Sequence, residues 1–339
     1  MIKAYDFFNE RYVRCICGDV LDSRANILNL SKHSLKEVPE MIREYSFLVK
    51  LYLHVNEIST LPSISNLTNL KILTLDFNQL QEFPVAVCSL ENLRFLNISH
   101  NNIEEIPKEI GELKFLEVLW CNHTGLMSIA EEIGSCITLD TLGARGNKLE
   151  TLPESICLLE NLRWISFESN QIKNLPNQFG ALTQLDHLNL KDNQLQSIPK
   201  CVPYMRSLQC ISLNNNRIHE LPSDTDLQLM SDIKVINISN NPVCELVPDN
   251  FFELHSHIVS SEKATRNNRP TSSAEENDLE SQRDNNSDFE NSVRSSEINS
   301  EEGKLRMSNF IFYRFRNFFR SIKNVLTSFV HRFHNRSSS

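Results

Sequence analysis

Leu73-Thr74-Leu75-Asp76-Phe77-Asn78 decides how this chain is read, because the same six-residue pattern returns along most of its length. Leu51-Tyr52-Leu53-His54-Val55-Asn56 precedes it, and Leu96-Asn97-Ile98-Ser99-His100-Asn101 follows. Further copies close at Asn147, Asn170, Asn193, Asn216 and Asn241, and two degenerate ones close at His33 and Thr124. The ten closing positions are 23 residues apart in seven of nine steps, with one step of 22 and a final one of 25. Six residues past the closing position stands proline in eight of the first nine copies, Ala130 being the exception. The whole unit reads LxxLxLxxNxLxxLPxxIxxL. A period of this length marks stacked structural repeats.

Each fixed position has a physical reason. Alternating Leu-x-Leu gives a short strand with one apolar face. One copy cannot bury that face alone, so stacked copies build a parallel sheet over a continuous core. Asparagine suits the closing position because its side chain both donates and accepts hydrogen bonds to backbone groups of its own and the neighbouring coil. Asn56, Asn78, Asn101, Asn147, Asn170, Asn193, Asn216 and Asn241 are therefore expected to form a structural ladder. Proline fixes φ on the return segment and favours extended chain with short 3₁₀ turns. The expected class is α/β, a right-handed horseshoe of ten repeats of about 23 residues with a parallel concave sheet. The unit is that of the leucine-rich repeat, and in its LPxxI signature the chain resembles the cytoplasmic Ras-associated scaffold class and the plant intracellular Ras-group-related proteins. The resemblance covers residues 25–258.

Residues 1–24, with Tyr5, Phe7, Phe8, Tyr12 and Val13, read as an N-terminal cap helix, and 242–258 as the C-terminal cap closing the repeat domain. Residues 259–303 read as a disordered acidic linker. Residues 304–336 read as a basic amphipathic helix. The charge is correspondingly uneven: residues 260–303 hold 11 acids and 5 bases, and 304–339 hold 8 bases and no acids.

The 339 residues carry 34 basic and 43 acidic side chains and a net charge of −9, which argues against a dedicated nucleic-acid binder. Eight glycines and no GxxxxGK loop argue against a mononucleotide-binding fold. Nine cysteines form no disulfide framework, and neither a signal peptide nor an 18-residue apolar run is seen, so a reducing, cytoplasmic setting is expected. Sequons at Asn29, Asn66, Asn97, Asn122, Asn237, Asn285 and Asn335 read as accidental, since several would put a glycan in a strand.

Catalytic and metal chemistry finds little support, and no cofactor is expected. The histidines are scattered, although His100 and His123 stand one repeat apart. Cys88, Cys157 and Cys201 read as small apolar fillers of the convex side, and none of the three has a base fixed beside it in sequence. Arg163-Trp164-Ile165-Ser166-Phe167 matches a short phosphatase-docking pattern, but Ile165 and Phe167 are inward strand positions and read as core.

The outward positions of the strands are more telling: Tyr52, Asp76, Phe77, Phe95, Trp120, Arg145, Trp164, Glu168, Lys191 and Asp192. Both tryptophans of the chain are among them, two repeats apart. A large aromatic on a rigid surface is a typical binding anchor. Tyr52, Asp76, Phe95, Trp120, Arg145, Trp164, Glu168 and Lys191 are taken as the partner-binding set. Repeat five departs from the pattern at Cys121, Thr124 and Ala130, and Gly143, Ala144 and Gly146 thin the next strand; a local change of curvature beside Trp120 and simple drift of the repeat are equally good readings.

On a helix, Ile311, Phe315, Phe318, Phe319, Ile322 and Phe329 share one face, while Arg314, Arg316, Arg320 and Lys323 fall outside it. This pattern suits a helix lying on an anionic membrane. Docking onto the solenoid and recognition by a calmodulin-like protein are the alternatives. The combined expectation is a monomeric, non-enzymatic adaptor, peripheral on a membrane, with a protein partner on the concave face. The resemblance implies a small GTPase or a phosphatase complex as that partner; the alternative is substrate recognition for a ubiquitin ligase.

Overall fold

The computed structural model describes residues 2–248 and 251–260; the expected tail helix and the expected linker from 261 on lie outside the described residues, and Val259, expected to open the linker, is instead paired in the last strand. Each Leu-x-Leu forms a strand of three residues, such as Ile72–Thr74, Val118–Trp120 and Trp164–Ser166, and the strands stack in parallel. The sheet has eleven strands, because Ile258–Val259 adds one beyond the last asparagine copy. Register follows the repeat: Leu73 pairs with Leu96, Leu96 with Leu119, and Leu119 with Leu142. These leucines are fully or almost fully buried. Each contributes about 1.5–3 kcal/mol relative to exposure, and repetition makes the sum large.

On the convex side, 3₁₀ turns start directly after proline, as at Glu40–Glu44, Val85–Ser89, Lys108–Glu112 and Glu154–Leu158. Ala130 holds φ −66° and ψ 152°, and the turn Glu131–Ser135 follows it as in the proline copies. The missing proline therefore leaves the local geometry unchanged.

The closing asparagines bridge coils. Asn170 Nδ2 donates to the Ala144 and Phe167 carbonyls at 2.9 and 3.0 Å, and its Oδ1 accepts the Leu149 N–H at 3.0 Å. Asn147 carries more: its Oδ1 accepts the N–H groups of Thr124, Gly125 and Leu126. Thr124, in place of asparagine, sets its Oγ1 within 3.2 Å of the Cys121 carbonyl and 3.0 Å of Asn147 Oδ1. A second polar row runs along the opposite edge, ahead of the strands. Asn69, Asn92 and Asn161 donate to the Ser46, Thr68 and Ile137 carbonyls of the preceding coil. Its signal was present in the Asn-Leu pairs that precede these strands, at the same period.

The N-terminal end is closed by the helix Ile2–Ser23, which buries Val13 and Cys17 against the first coil. Tyr45 Oη donates to the Cys17 carbonyl at 3.0 Å and ties helix to solenoid. Tyr12 is exposed rather than in the core, its ring stacked on His33 with centroids 5.7 Å apart. At the other end, short helices Val243–Leu246 and Phe251–Leu254 lead into the last strand. No helix among the described residues is long and apolar enough to cross a membrane.

Candidate functional site

The concave face is built from four columns of side chains: two on the strand itself and two on the turn that leaves it. The final turn residue of every asparagine copy is left-handed, from Val55 (φ 56°) and Phe77 (φ 55°) to Asn215 (φ 57°) and Asn240 (φ 56°). Such a φ is unfavourable for a residue with a Cβ by roughly 1–2 kcal/mol. Stacking with neighbours offsets it here, because the left-handed turn aims each side chain at the one 23 residues away. Phe77 stacks on His100 at 4.1 Å between centroids, and His100 stacks on His123 at 4.9 Å. The stack ends at Gly146 (φ 68°), where a Cβ would collide with the His123 ring.

The tryptophans, two coils apart in sequence, meet. Trp120 and Trp164 have centroids 5.2 Å apart with planes inclined by 47°. Gly143, on the strand between them, makes this possible, since a Cβ there would strike the Trp120 ring. The thinned strand is thus a seat for the indole. In four other coils an asparagine at the Trp120 position caps the turn: Asn29, Asn97, Asn189 and Asn237 each accept the N–H two residues on. Where Trp120 and Gly143 replace it, the neighbouring coil serves instead. Asn122 N–H donates to Ser99 Oγ, and Arg145 N–H donates to Asn122 Oδ1. The sequon asparagines Asn29, Asn97, Asn122 and Asn237 all hold a backbone N–H of a turn with their side-chain oxygen.

Beyond the tryptophans the face is charged. Glu168 Oε1 lies 3.6 Å from Arg145 and 3.4 Å from Lys191, and its Oε2 accepts from Asn189 at 3.0 Å. Lys191 also reaches Asp192 at 3.7 Å. Asp192 in turn accepts from Ser169 and Asn215, and Asn240 donates to Asn215. At the N-terminal end, burial pushes the Asp76 carboxyl up to about 6. Burial lowers His54, with Lys32 adding repulsion. Burial likewise lowers His100 to about 4, helped by His123 and Arg145.

The partner-binding set thus divides. Trp120, Trp164 and Phe95 are half-buried on the face; Phe77, an outward position not in that set, is open at 45% exposure. Tyr52 and Glu168 are buried, at 5% and 8%: Tyr52 lies edge-on to His54, and Glu168 is enclosed by its ion pairs. Arg145, Lys191 and Asp76 are half-buried. Ile165 and Phe167 of the phosphatase-like pattern are wholly buried, in keeping with core. Among the described residues no three metal-ligating side chains converge. Ile311, Phe315 and the other proposed membrane contacts lie outside the described residues.

Residues 137–195 match the family model described as leucine rich repeat, and residues 92–113 match a second of the same description. Among solved structures, a leucine-rich repeat protein of Leptospira interrogans is 30% identical with a TM-score of 0.61, over 66% of this chain and 57% of its own. The plant peptide hormone receptor RGFR1 in complex with RGF2 is 31% identical with a TM-score of 0.57, over 64% of this chain and 36% of its own. An internalin of Listeria monocytogenes, 21% identical with a TM-score of 0.52 over 67% and 70% of the two chains, shares the fold. The chain therefore spans 57% and 36% of the length of the first two. No curated protein matches the chain. The coils described above are leucine-rich repeats, an architecture of protein-interaction modules.

Proposed function

We propose that this protein is a non-enzymatic adaptor whose concave face binds an extended segment of a protein partner, with the Trp120–Trp164 pair as anchor. The observation that carries this reading is the pair itself: two large rings brought together over a strand that gives up its side chain, with Asn122 re-routed to complete the turn. Surface aromatics so held offer large contact area at little entropic loss. That the plant peptide hormone receptor is in complex with RGF2 supports a ligand of this kind. The amide-rich turns beyond Glu168 suit hydrogen bonding to a ligand backbone. Affinity purification of the full chain against the Trp120→Ala/Trp164→Ala double variant tests it. The expected loss is about 2–4 kcal/mol per anchor, enough to empty the site. A folded double variant that keeps every partner overturns the reading. A small GTPase or phosphatase complex remains the first partner to try.

The tail completes the proposal, on its sequence. A peptide of residues 304–339 should turn helical on phosphatidylserine vesicles and stay unstructured on neutral ones, each basic residue adding about 1 kcal/mol. Phe318→Asp with Ile322→Asp should abolish that binding. Equal binding to both vesicle types removes the membrane from the proposal.

A further inference from the structure

Of the nine cysteines, Cys15 is exposed, five are buried, and Cys201, Cys210 and Cys244 are half-buried. Burial pushes the Cys201 and Cys244 thiols up, Cys201 to about 11. Cys210 differs in what stands beside it. It opens the concave strand Cys210–Ser212, and its register partner on the preceding strand is His187. His187 Nδ1 sits 2.7 Å from Asp186 Oδ1. The other ring nitrogen, Nε2, is buried without a hydrogen bond, on a ring whose neighbour across the strand pair is the Cys210 side chain. On the far side, Cys210 pairs with the apolar Val235. In the column of Asp186, one residue ahead of these strands, the other charged residues nearby are Asp140 and Arg163, 3.8 Å apart, and Lys234.

A base that sequence adjacency could not supply is thus supplied by the repeat, one period away. Asp186 fixes Nδ1 as the protonated nitrogen and steadies an imidazolium. Burial works against the charged ring, but the hydrogen-bonded Asp186 carboxylate and the Cys210 side chain beside the ring outweigh it and raise His187 to about 9. An imidazolium beside a thiol favours the thiolate, which is the nucleophile. We propose that Asp186, His187 and Cys210 form a reactive-thiol site on the concave face that exchanges with small disulfides such as oxidised glutathione. The Cys210 thiolate attacks one sulfur of the disulfide, and a new S–S bond forms as the old one breaks. The departing half leaves as a thiolate with the electron pair and takes a proton from solvent. Cys210 is oxidised to a mixed disulfide, and the departing half is reduced. The adduct stands two strands from Trp164, roughly 10 Å away, so it also obstructs the partner surface. That consequence rests on the proposed function; the thiol chemistry does not.

Timed alkylation of the full chain by iodoacetamide, read by peptide mass spectrometry, measures Cys210 against Cys15 in the same molecule. Near pH 6.5, Cys210 should react at least about tenfold faster than Cys15, and its rate should fall less on acidification. His187→Gln should slow Cys210 by about tenfold and leave Cys15 unchanged, with Asp186→Asn in between. Oxidised glutathione should add once, at Cys210. Labelling of the buried Cys121 would reveal an unfolded variant, in which case the pH profile of the parent protein decides. Equal rates and equal pH profiles for Cys210 and Cys15 overturn the site, as does a Cys210 rate indifferent to His187→Gln in a folded variant. Adduct formation spread over several cysteines, or none at Cys210, overturns the disulfide specificity.

Discussion

From Phe77 to His123 the left-handed column of the concave face is a stack of rings; from Ser169 to Asn240 it is a chain of hydrogen-bonded polar side chains. The backbone is the same in both halves, with φ near 55° at each position. What differs is how its strain is compensated. Asn215 and Asn240 tolerate the left-handed region through local polar contacts, whereas Phe77, His100 and His123 hold it by ring contact with the next coil. Gly146 is the seam. The lesson is that a repeat prescribes a backbone, and the residues it leaves variable then divide the surface into an aromatic half and a polar half.

The asparagine ladder is common to both halves, so breaking it tests the frame on which the comparison rests. Asn147→Ala leaves the Leu126 and Gly125 N–H groups without their acceptor and should cost on the order of 1–3 kcal/mol, seen as a lower midpoint in thermal unfolding. An unchanged midpoint contradicts the coil register. At the seam, Gly146→Ala should cost about 1–2 kcal/mol and displace the His123 ring, which histidine NMR shifts would report. Asn215→Gly, in the polar half, should change stability much less, because the backbone conformation is then free while only exposed hydrogen bonds are lost. Equal effects at both positions would erase the distinction.

The remaining predictions sharpen it through pH, with opposite signs. Asp76, raised from 3.8 to about 6, binds its proton more tightly in the folded state. Stability is therefore lost as pH rises from 3.8 to about 6. Asp76→Asn should raise stability by about 1 kcal/mol at pH 7 and leave it unchanged below pH 3.8, by denaturant titration. His100, lowered from 6.5 to about 4, resists protonation within its stack. Its contribution to stability is complete above pH 6.5 and is lost as pH falls towards 4. His100→Phe should flatten this loss, a small effect best seen in amide exchange of residues 77–124. A variant with the parent's acid response would place the sensitivity elsewhere.

Much of this molecule could be read before it was seen. Leu-x-Leu, the closing asparagine and the proline six residues on contain the strand, the ladder and the convex turn of one coil. Ala130 shows how far that goes: without proline, its neighbours still impose the same dihedral angles. The eleventh strand was not legible, because Ile258–Val259 carries no repeat and pairs only since Val235–Asn237 offers it an edge. The concave set was read by position, but exposure was not: Tyr52 points outward and is nonetheless covered by its neighbours.

The sequence by itself determined the coil, because strand, turn and ladder are satisfied by residues within one period and repeated at the next. Only the tertiary structure decided which variable side chains touch. Trp120 reaches Trp164 across Gly143, His123 rests on Gly146, and His187 faces Cys210, pairs separated by 44 or 23 residues. Such contacts depend on side-chain size and direction across strands about 4.8 Å apart, a distance at which the absence of one Cβ decides whether two rings meet.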